Sequence, residues 1–174
     1  MTRFDKCLAF TLKQEGGYSN VTGDRGGSTY KGITQVVYNN FRQNQGQPQL
    51  SVSQATDIEI NAIYRNEYWK PILGDALHEP LDLVVFDTAV NSGVRKASKI
   101  LQSCLGIADD GVIGNNTLAA LRDDIAADML SKLVRTYLDI RKANYYIIVN
   151  NNPTQVKFLK GWLNRLDAIK EEIK

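Results

Sequence analysis

Apolar residues recur at helical spacing along most of the chain. In the range 2–15 they fall on one face, and Thr2 with Asp5 matches a capping box, so a helix is predicted there that ends at a glycine pair. Helical spacing resumes after Thr34, which is predicted to cap a helix, and Ser53 is predicted to cap another. This pattern predicts an all-α or mainly α protein.

Two segments depart from ordinary amphipathic spacing. Residues 18–31 are polar and rich in glycine, which predicts a loop or a short β-hairpin. Residues 81–92 are apolar around most of the helical circumference, which predicts a central helix buried on all sides. The amphipathic pattern after residue 93 predicts further helices, including a short one at 115–122 and a long one at about 125–149.

Composition narrows the possible partners. The chain has 174 residues, 43% hydrophobic and 23% charged, which suits one globular unit with a real core. A net charge of +2 is too small for a domain built to neutralise many phosphates, so nucleic acid is not an expected partner. No signal peptide or integral membrane segment is visible, and Cys7 and Cys104 are expected to be buried free thiols. No metal site and no cofactor are expected.

Glu15 stands at the predicted C-terminal end of the first helix, beside two glycines. Partial negative charge on the helix carbonyls and burial against apolar neighbours both favour a protonated carboxyl, which suits a general acid. The alternative is a solvated glutamate at a frayed helix end.

Asp24 lies nine residues further on in a glycine-rich loop, where a carboxylate can face a cleft. Glycoside hydrolysis uses such a pair, because one carboxyl protonates the leaving oxygen while the other activates water or attacks the sugar. Asp24 could equally be a turn residue paired with Arg25 or Lys31. The Thr29 hydroxyl could hold a water molecule or cap a local turn.

Several motifs, in the same order along the chain, resemble glycoside hydrolase family 108. These are Glu15-Gly16-Gly17-Tyr18-Ser19-Asn20, Gly23-Asp24-x-Gly26-Gly27-x-Thr29-x-x-Gly32-Ile33-Thr34, Ile63-Tyr64-Arg65-x-x-Tyr68-Trp69, Phe86-Asp87-x-Ala89-Val90-Asn91-x-Gly93, Leu101-Gln102-x-x-Leu105-Gly106, Asp110-Gly111-x-x-Gly114 and Gly161-Trp162-x-x-Arg165. The sequence departs from the family at Arg25 and Asn115, where proline is common.

The resemblance implies a lysozyme-like helical fold, with a catalytic part at 1–93 and a helical, predicted peptidoglycan-binding part at 94–174. We expect the two parts to pack together as one unit. The resemblance also implies N-acetylmuramidase activity on the β-1,4 bond between N-acetylmuramic acid and N-acetylglucosamine. Glu15 would be the catalytic acid, and Asp24 and Thr29 would handle the water molecule.

The expected partner is the peptidoglycan glycan strand, bound by a monomer. One alternative is that the protein is a lytic transglycosylase. The second alternative is that it is a non-catalytic wall-binding or secretion-accessory protein. Without a visible signal peptide, the expected route is synthesis in the bacterial cytoplasm, with export or holin-dependent release to the wall. The candidate substrate-binding residues are Tyr18, Tyr30, Gln35, Trp69 and Asn91, although aromatic residues at helical spacing are more often core.

Overall fold

A computed structural model of the chain describes residues 1–15 and 28–174. Helices make up most of these residues and the only strands among them form one two-stranded antiparallel sheet, so the predicted mainly α class is confirmed. The chain divides into two compact units, Met1–Lys70 and Pro71–Lys174. None of the helices in the described ranges is long and apolar enough to cross a membrane.

The helices of the first unit begin at capping residues. Thr2 accepts a hydrogen bond from the Asp5 backbone, which confirms the predicted capping box, and Thr34 caps its helix as predicted. The prediction for Ser53 is wrong, because Thr56 caps the next helix and Glu59 completes a capping box. The elements are α1 (Arg3–Gln14), β1 (Thr29–Tyr30), β2 (Ile33–Thr34), α2 (Gln35–Asn44), a 3₁₀ turn (Val52–Gln54), α3 (Asp57–Tyr64) and a π-helical turn (Arg65–Trp69).

The structure has a hairpin at 29–34, which begins inside the predicted segment 18–31 and extends beyond it, with Thr29 paired to Thr34 and Tyr30 to Ile33. Lys31 and Gly32 form the two-residue turn, and both have positive φ angles, of 46° and 76°. A two-residue loop with both φ angles positive is the type I′ turn that matches the twist of paired strands. Residues 16–27, which include the rest of the polar segment, lie outside the described residues.

Aromatic side chains form much of the core of the first unit. Phe4, Tyr38, Tyr64 and Trp69 are all at most 1% exposed. The rings of Phe4 and Trp69 meet edge to face, with centroids 5.4 Å apart, and therefore join α1 to the π-helical turn. This contact fixes the N-terminal end of α1 relative to the segment that follows α3.

The second unit is built around the helix that was predicted to be buried. Leu81–Ser92 forms α4, and all residues from Leu81 to Ala89 are buried, which confirms the prediction. Helix α4 packs on two of the later helices, α5 and α7. The elements of this unit are a 3₁₀ turn (Gly74–Ala76), α4, α5 (Val94–Cys104), α6 (Asn115–Ala126), α7 (Leu130–Asn151), a 3₁₀ turn (Pro153–Gln155) and α8 (Val156–Glu172).

The boundary between α6 and α7 differs from the prediction. The long helix was expected from about Ile125, but α6 continues to Ala126 and α7 begins at Leu130. Asp128 adopts a left-handed conformation with φ of 56°, and this breaks the helix where the apolar periodicity alone gives no warning.

The two cysteines are free, as predicted. Cys7 is buried, whereas Cys104 is half-buried. Burial raises the pKa of the Cys104 thiol to about 11, so this thiol is protonated at neutral pH.

Candidate active site

Glu15 is the residue at which the chain leaves α1. Its backbone N–H still donates to the carbonyl of Thr11 at 3.2 Å, but its own backbone is extended, with φ of −82° and ψ of 146°. The side chain is half-buried, so it combines partial shielding with access from outside.

The hairpin turn approaches the Glu15 side chain closely. A Cβ atom placed on Gly32 would lie 3.1 Å from both Cγ and Oε2 of Glu15, and 2.5 Å from the hydroxyl oxygen of Tyr64. Glycine is therefore required at this position for two reasons, the positive φ of 76° and the absence of space for a side chain. The hairpin turn therefore lies directly against the carboxyl group of Glu15.

Tyr64, at the end of α3, holds the turn in place. Its hydroxyl donates to the carbonyl oxygen of Lys31 at 2.8 Å, and its ring is fully buried. The hydrogen bond ties a buried residue to the backbone beside Gly32. It therefore sets the position of the turn against which Glu15 packs.

Tyr68 is the second phenol at this site. It lies in the π-helical turn, with its ring centroid 5.5 Å from that of Tyr64. Burial raises the pKa of the Tyr68 phenol, and the nearby carboxylates of Glu67 and Glu15 raise it further. Tyr68 therefore stays protonated in the neutral range and can donate a hydrogen bond beside Glu15. Single π-helical turns are frequent at functional sites.

The other candidate catalytic residues lie on or before the hairpin. Thr29 is half-buried in β1, opposite Thr34. Asp24 lies outside the described residues, and so does Tyr18. Tyr30 is half-buried, and the ammonium of Lys31 lies 5.4 Å from its ring centroid, so its ring is already in contact with a cation.

Two of the candidate substrate-binding residues have clear structural roles. Trp69 is fully buried against Phe4, and a ring without exposed surface cannot stack on a sugar, so its assignment as a substrate-binding residue is wrong. The amide of Gln35 makes three hydrogen bonds, to the Asn39 side chain, the Leu50 carbonyl and the Val52 N–H. Those bonds join α2 to the segment before α3, and substrate binding by Gln35 stays a prediction.

Asn91 lies at the end of α4, in the second unit. Its side-chain oxygen accepts hydrogen bonds from the Tyr145 hydroxyl at 2.8 Å and from the Ser92 hydroxyl at 3.1 Å. The residue therefore connects α4 to α7. Substrate binding by Asn91 stays a prediction.

The sequence pattern does not assign Gly32 or Tyr64 to the site, and it leaves Tyr68 between sugar stacking and the core. Tyr64 and Tyr68 have the four-residue spacing of one helical face, which is typical of core residues. Gly32, Tyr64 and Tyr68 all occur in the motifs quoted above, and this was the available sequence signal for a role in the site. Their proximity to Glu15, however, depends on the tertiary structure.

Comparisons with known proteins identify the families that the chain resembles. The family model described as Glycosyl hydrolase 108 matches residues 8–93, and the model described as Predicted Peptidoglycan domain matches residues 96–167. Twelve chains of solved structures match, among them the one described as "Structure of Brucella abortus SagA". That chain is 33% identical, with a TM-score of 0.77, over 98% of this chain and 92% of its own length. No curated protein matches the sequence.

The chain belongs to glycoside hydrolase family 108. It is a peptidoglycan hydrolase that breaks glycosidic bonds, and peptidoglycan is its ligand. The region matched by the hydrolase model contains Glu15, Gly32, Tyr64 and Tyr68.

Proposed function

We propose that the protein is an N-acetylmuramidase that hydrolyses the β-1,4 bond between N-acetylmuramic acid and N-acetylglucosamine, with Glu15 as the general acid. The observation that carries this proposal is the position of Glu15, which is half-buried where α1 ends and packed against the Gly32 turn. A carboxyl held there can protonate the glycosidic oxygen as the bond breaks.

The phenols of Tyr64 and Tyr68 have supporting roles in this proposal. Tyr64 fixes the turn through the Lys31 carbonyl, and so keeps the Glu15 side chain in one position. Tyr68 remains a hydrogen-bond donor because burial and the neighbouring carboxylates raise its pKa. A fixed acid loses less entropy on reaching the transition state than one that moves freely.

Asp24 is the proposed base that activates water, and Thr29 assists it. This assignment implies inversion, because water must fit between the sugar and the base, on the face away from the acid. Proton NMR of the first products should therefore show the α-anomer, and a first-formed β-anomer would contradict inversion. Asp24→Asn should lower turnover more than substrate binding, since the amide has the same shape but cannot accept a proton.

Product chemistry tests which bond is cleaved. Purified peptidoglycan is digested, its new reducing ends are reduced with borohydride, and the fragments are identified by mass spectrometry. The proposal expects reduced N-acetylmuramic acid at the new ends, with Glu15→Gln protein as the blank. Reduced N-acetylglucosamine ends would show a different bond specificity, and 1,6-anhydro ends would show a lytic transglycosylase. Wall binding without any fragments would favour the non-catalytic alternative.

We also propose that the protein acts as a monomer at the cell wall, after export or release from the cytoplasm. Size-exclusion chromatography with light scattering tests the monomer, and fractionation of producing cells tests the location. A stable dimer, or protein confined to the cytoplasm throughout wall breakdown, would contradict the corresponding part of this proposal.

A further inference from the structure

A cavity of about 310 Å³ lies within the second unit, and α4, α5, α7 and α8 contribute its walls. Its volume is at the lower end for small-molecule sites, so it suits one residue-sized group and not a long segment of polymer. The aromatic part of its wall is Tyr145 with Trp162, whose rings stack with centroids 5.1 Å apart. Trp162 is half-buried and keeps part of its surface open to a ligand.

The charged groups that line this cavity are both cations, Lys96 and Arg141. No acidic side chain among the described residues lines it. The Lys96 side chain is exposed, and its ammonium donates to the Asn144 side chain at 2.9 Å. The polar part of the cavity therefore offers a cation and a side-chain amide close together, which is an arrangement that favours a carboxylate.

Arg141 reinforces the positive charge from within the wall. Its side chain is 1% exposed, and its Nε donates to the Tyr145 hydroxyl at 2.8 Å. Nη2 lies 2.8 Å from Asp87 Oδ2, but without the alignment of a hydrogen bond, and Nη1 has no hydrogen-bond partner among the described residues. Arg141 also shares Asp87 with Arg165, which holds that carboxylate through Nε and Nη2. A buried guanidinium with an unpaired donor is costly, and an anion in the cavity would offset part of that cost.

We propose that this cavity binds a free carboxylate of the peptidoglycan stem peptide, with Lys96 and Asn144 as the direct contacts and Arg141 as a buried positive charge behind them. The proposal rests on peptidoglycan being the ligand, and it names the part that is recognised. In intact peptidoglycan the lactyl carboxyl is used in the amide bond to the peptide, so the free carboxylates belong to the peptide and not to the sugars. The residues that carry the charge all lie in the region matched by the predicted peptidoglycan domain.

The test measures binding of a defined muropeptide to full-length Glu15→Gln protein, in which cleavage does not interfere. One probe is a disaccharide tetrapeptide with free carboxylates, and a second is the same compound with those carboxylates amidated. The free form should bind about tenfold more tightly, as a charge-assisted hydrogen bond implies. Equal affinities would overturn the proposal. Chitotetraose and glycerol phosphate serve as further probes, and tighter binding of either that is lost in Lys96→Glu would overturn the proposal in favour of a sugar or a phosphate.

Variants locate the binding in the cavity. Lys96→Glu, added to the Glu15→Gln protein, should weaken binding of the free-carboxylate probe by about tenfold. Asn144→Asp should do the same, because it places a carboxylate beside Lys96 without removing packing. The control is Lys142→Glu, the same charge change at an exposed position of α7 outside the cavity. An equal loss in the control would overturn the proposal, since general electrostatics would then explain the binding.

The outcomes for the two proposals are separable. Fragment release by the wild-type protein reports on the muramidase, and muropeptide affinity of the Glu15→Gln proteins reports on the cavity. If fragments appear but Lys96→Glu binds as well as its parent, only the cavity proposal fails. If binding depends on Lys96 but no fragments appear, only the muramidase proposal fails.

Discussion

Each of the two compact units has a shielded carboxyl group, and the two groups have different surroundings. In the first unit, Glu15 is half-buried where a helix ends, next to a glycine turn and a protonated phenol. In the second unit, Asp87 lies inside α4, is 0% exposed, and is held by the guanidinium groups of Arg165 and Arg141.

This difference separates a carboxyl that can react from one that holds the fold together. A substrate can reach a half-buried group, whereas no substrate touches a carboxylate with no exposed surface. Asp87 joins α4 to α7 and α8, so its charge is used to connect three helices. Burial alone therefore does not identify a catalytic acid, and the nature of the neighbouring groups decides which role is possible.

The largest expected effect follows from shortening the chain at Gly93. Helix α4 would lose α5 and α7, exposing core residues such as Val84, Val85 and Phe86. Each buried side chain of this kind contributes about 1.5–3 kcal/mol, against a net stability of about 5–15 kcal/mol. Residues 1–93 alone should be insoluble or molten, as measured by solubility and near-UV circular dichroism. A cooperatively folded, active muramidase of this length would show that the first part is an independent domain.

Glu15→Gln should abolish wall clearing while the protein remains folded. Loss of a general acid typically costs about 10²–10⁴-fold in rate, and glutamine keeps the shape of the side chain. Clearing of purified peptidoglycan and the melting temperature should be measured together. Glu172→Gln, at an exposed position in α8, is the matched control. Activity of Glu15→Gln within about threefold of wild type would remove Glu15 from the mechanism.

Asp87→Asn should lower the free energy of unfolding, whereas Glu15→Gln should lower activity and leave the protein folded. Asp87→Asn leaves Arg141 and Arg165 close together without the carboxylate between them, and breaking a buried ion pair in this way costs about 3–5 kcal/mol. Urea unfolding measures the loss, with Asp123→Asn, at an exposed position, as the control. A loss of activity at unchanged unfolding free energy would contradict the structural role of Asp87.

Gly32→Ala should reduce activity more than Gly46→Ala. Both glycines have positive φ angles, of 76° and 67°, so both substitutions introduce a similar backbone strain of about 1–2 kcal/mol. Only at Gly32 would the added Cβ meet Tyr64 and Glu15, because nothing lies within 4 Å of the corresponding position at Gly46. Displacing an acid by about 1 Å can cost about 10²-fold in rate. Equal activity in the two variants would show that the Gly32 turn does not position Glu15.

The smallest effect is expected at alkaline pH and concerns the second unit. Burial raises the pKa of Cys104 to about 11, whereas an unfolded cysteine has a pKa of about 8.5. Because the pKa of Cys104 is higher in the folded protein, the contribution of this thiol to the free energy of unfolding is present at neutral pH. That contribution is lost as the pH rises from about 8.5 towards 11. Urea midpoints at several alkaline pH values should fall less steeply for Cys104→Ala than for wild type. Parallel curves would show that Cys104 makes no such contribution.

Local patterns were sufficient to predict much of the fold. The capping box at Thr2 and Asp5, the cap at Thr34 and the limits of α4 at 81–92 were predicted as the structure has them. These features depend on neighbouring residues or on helical periodicity, both of which are present in the sequence. The break at Asp128 was missed, because a non-glycine residue in the left-handed conformation gives little local signal.

Periodicity and capping predict the mainly α class and the buried character of α4, and the position of Glu15 at a predicted helix end makes it the candidate acid. Three features become visible in the folded protein: Trp69 is a core residue, Gly32 and Tyr64 meet beside Glu15, and Asp87 is shared by two arginines. The two groups of features differ in the distance along the chain over which residues interact. Helical periodicity and capping act within a few residues, whereas these contacts join residues 17, 54 and 78 positions apart for Glu15 with Gly32, Asp87 with Arg141 and Asp87 with Arg165.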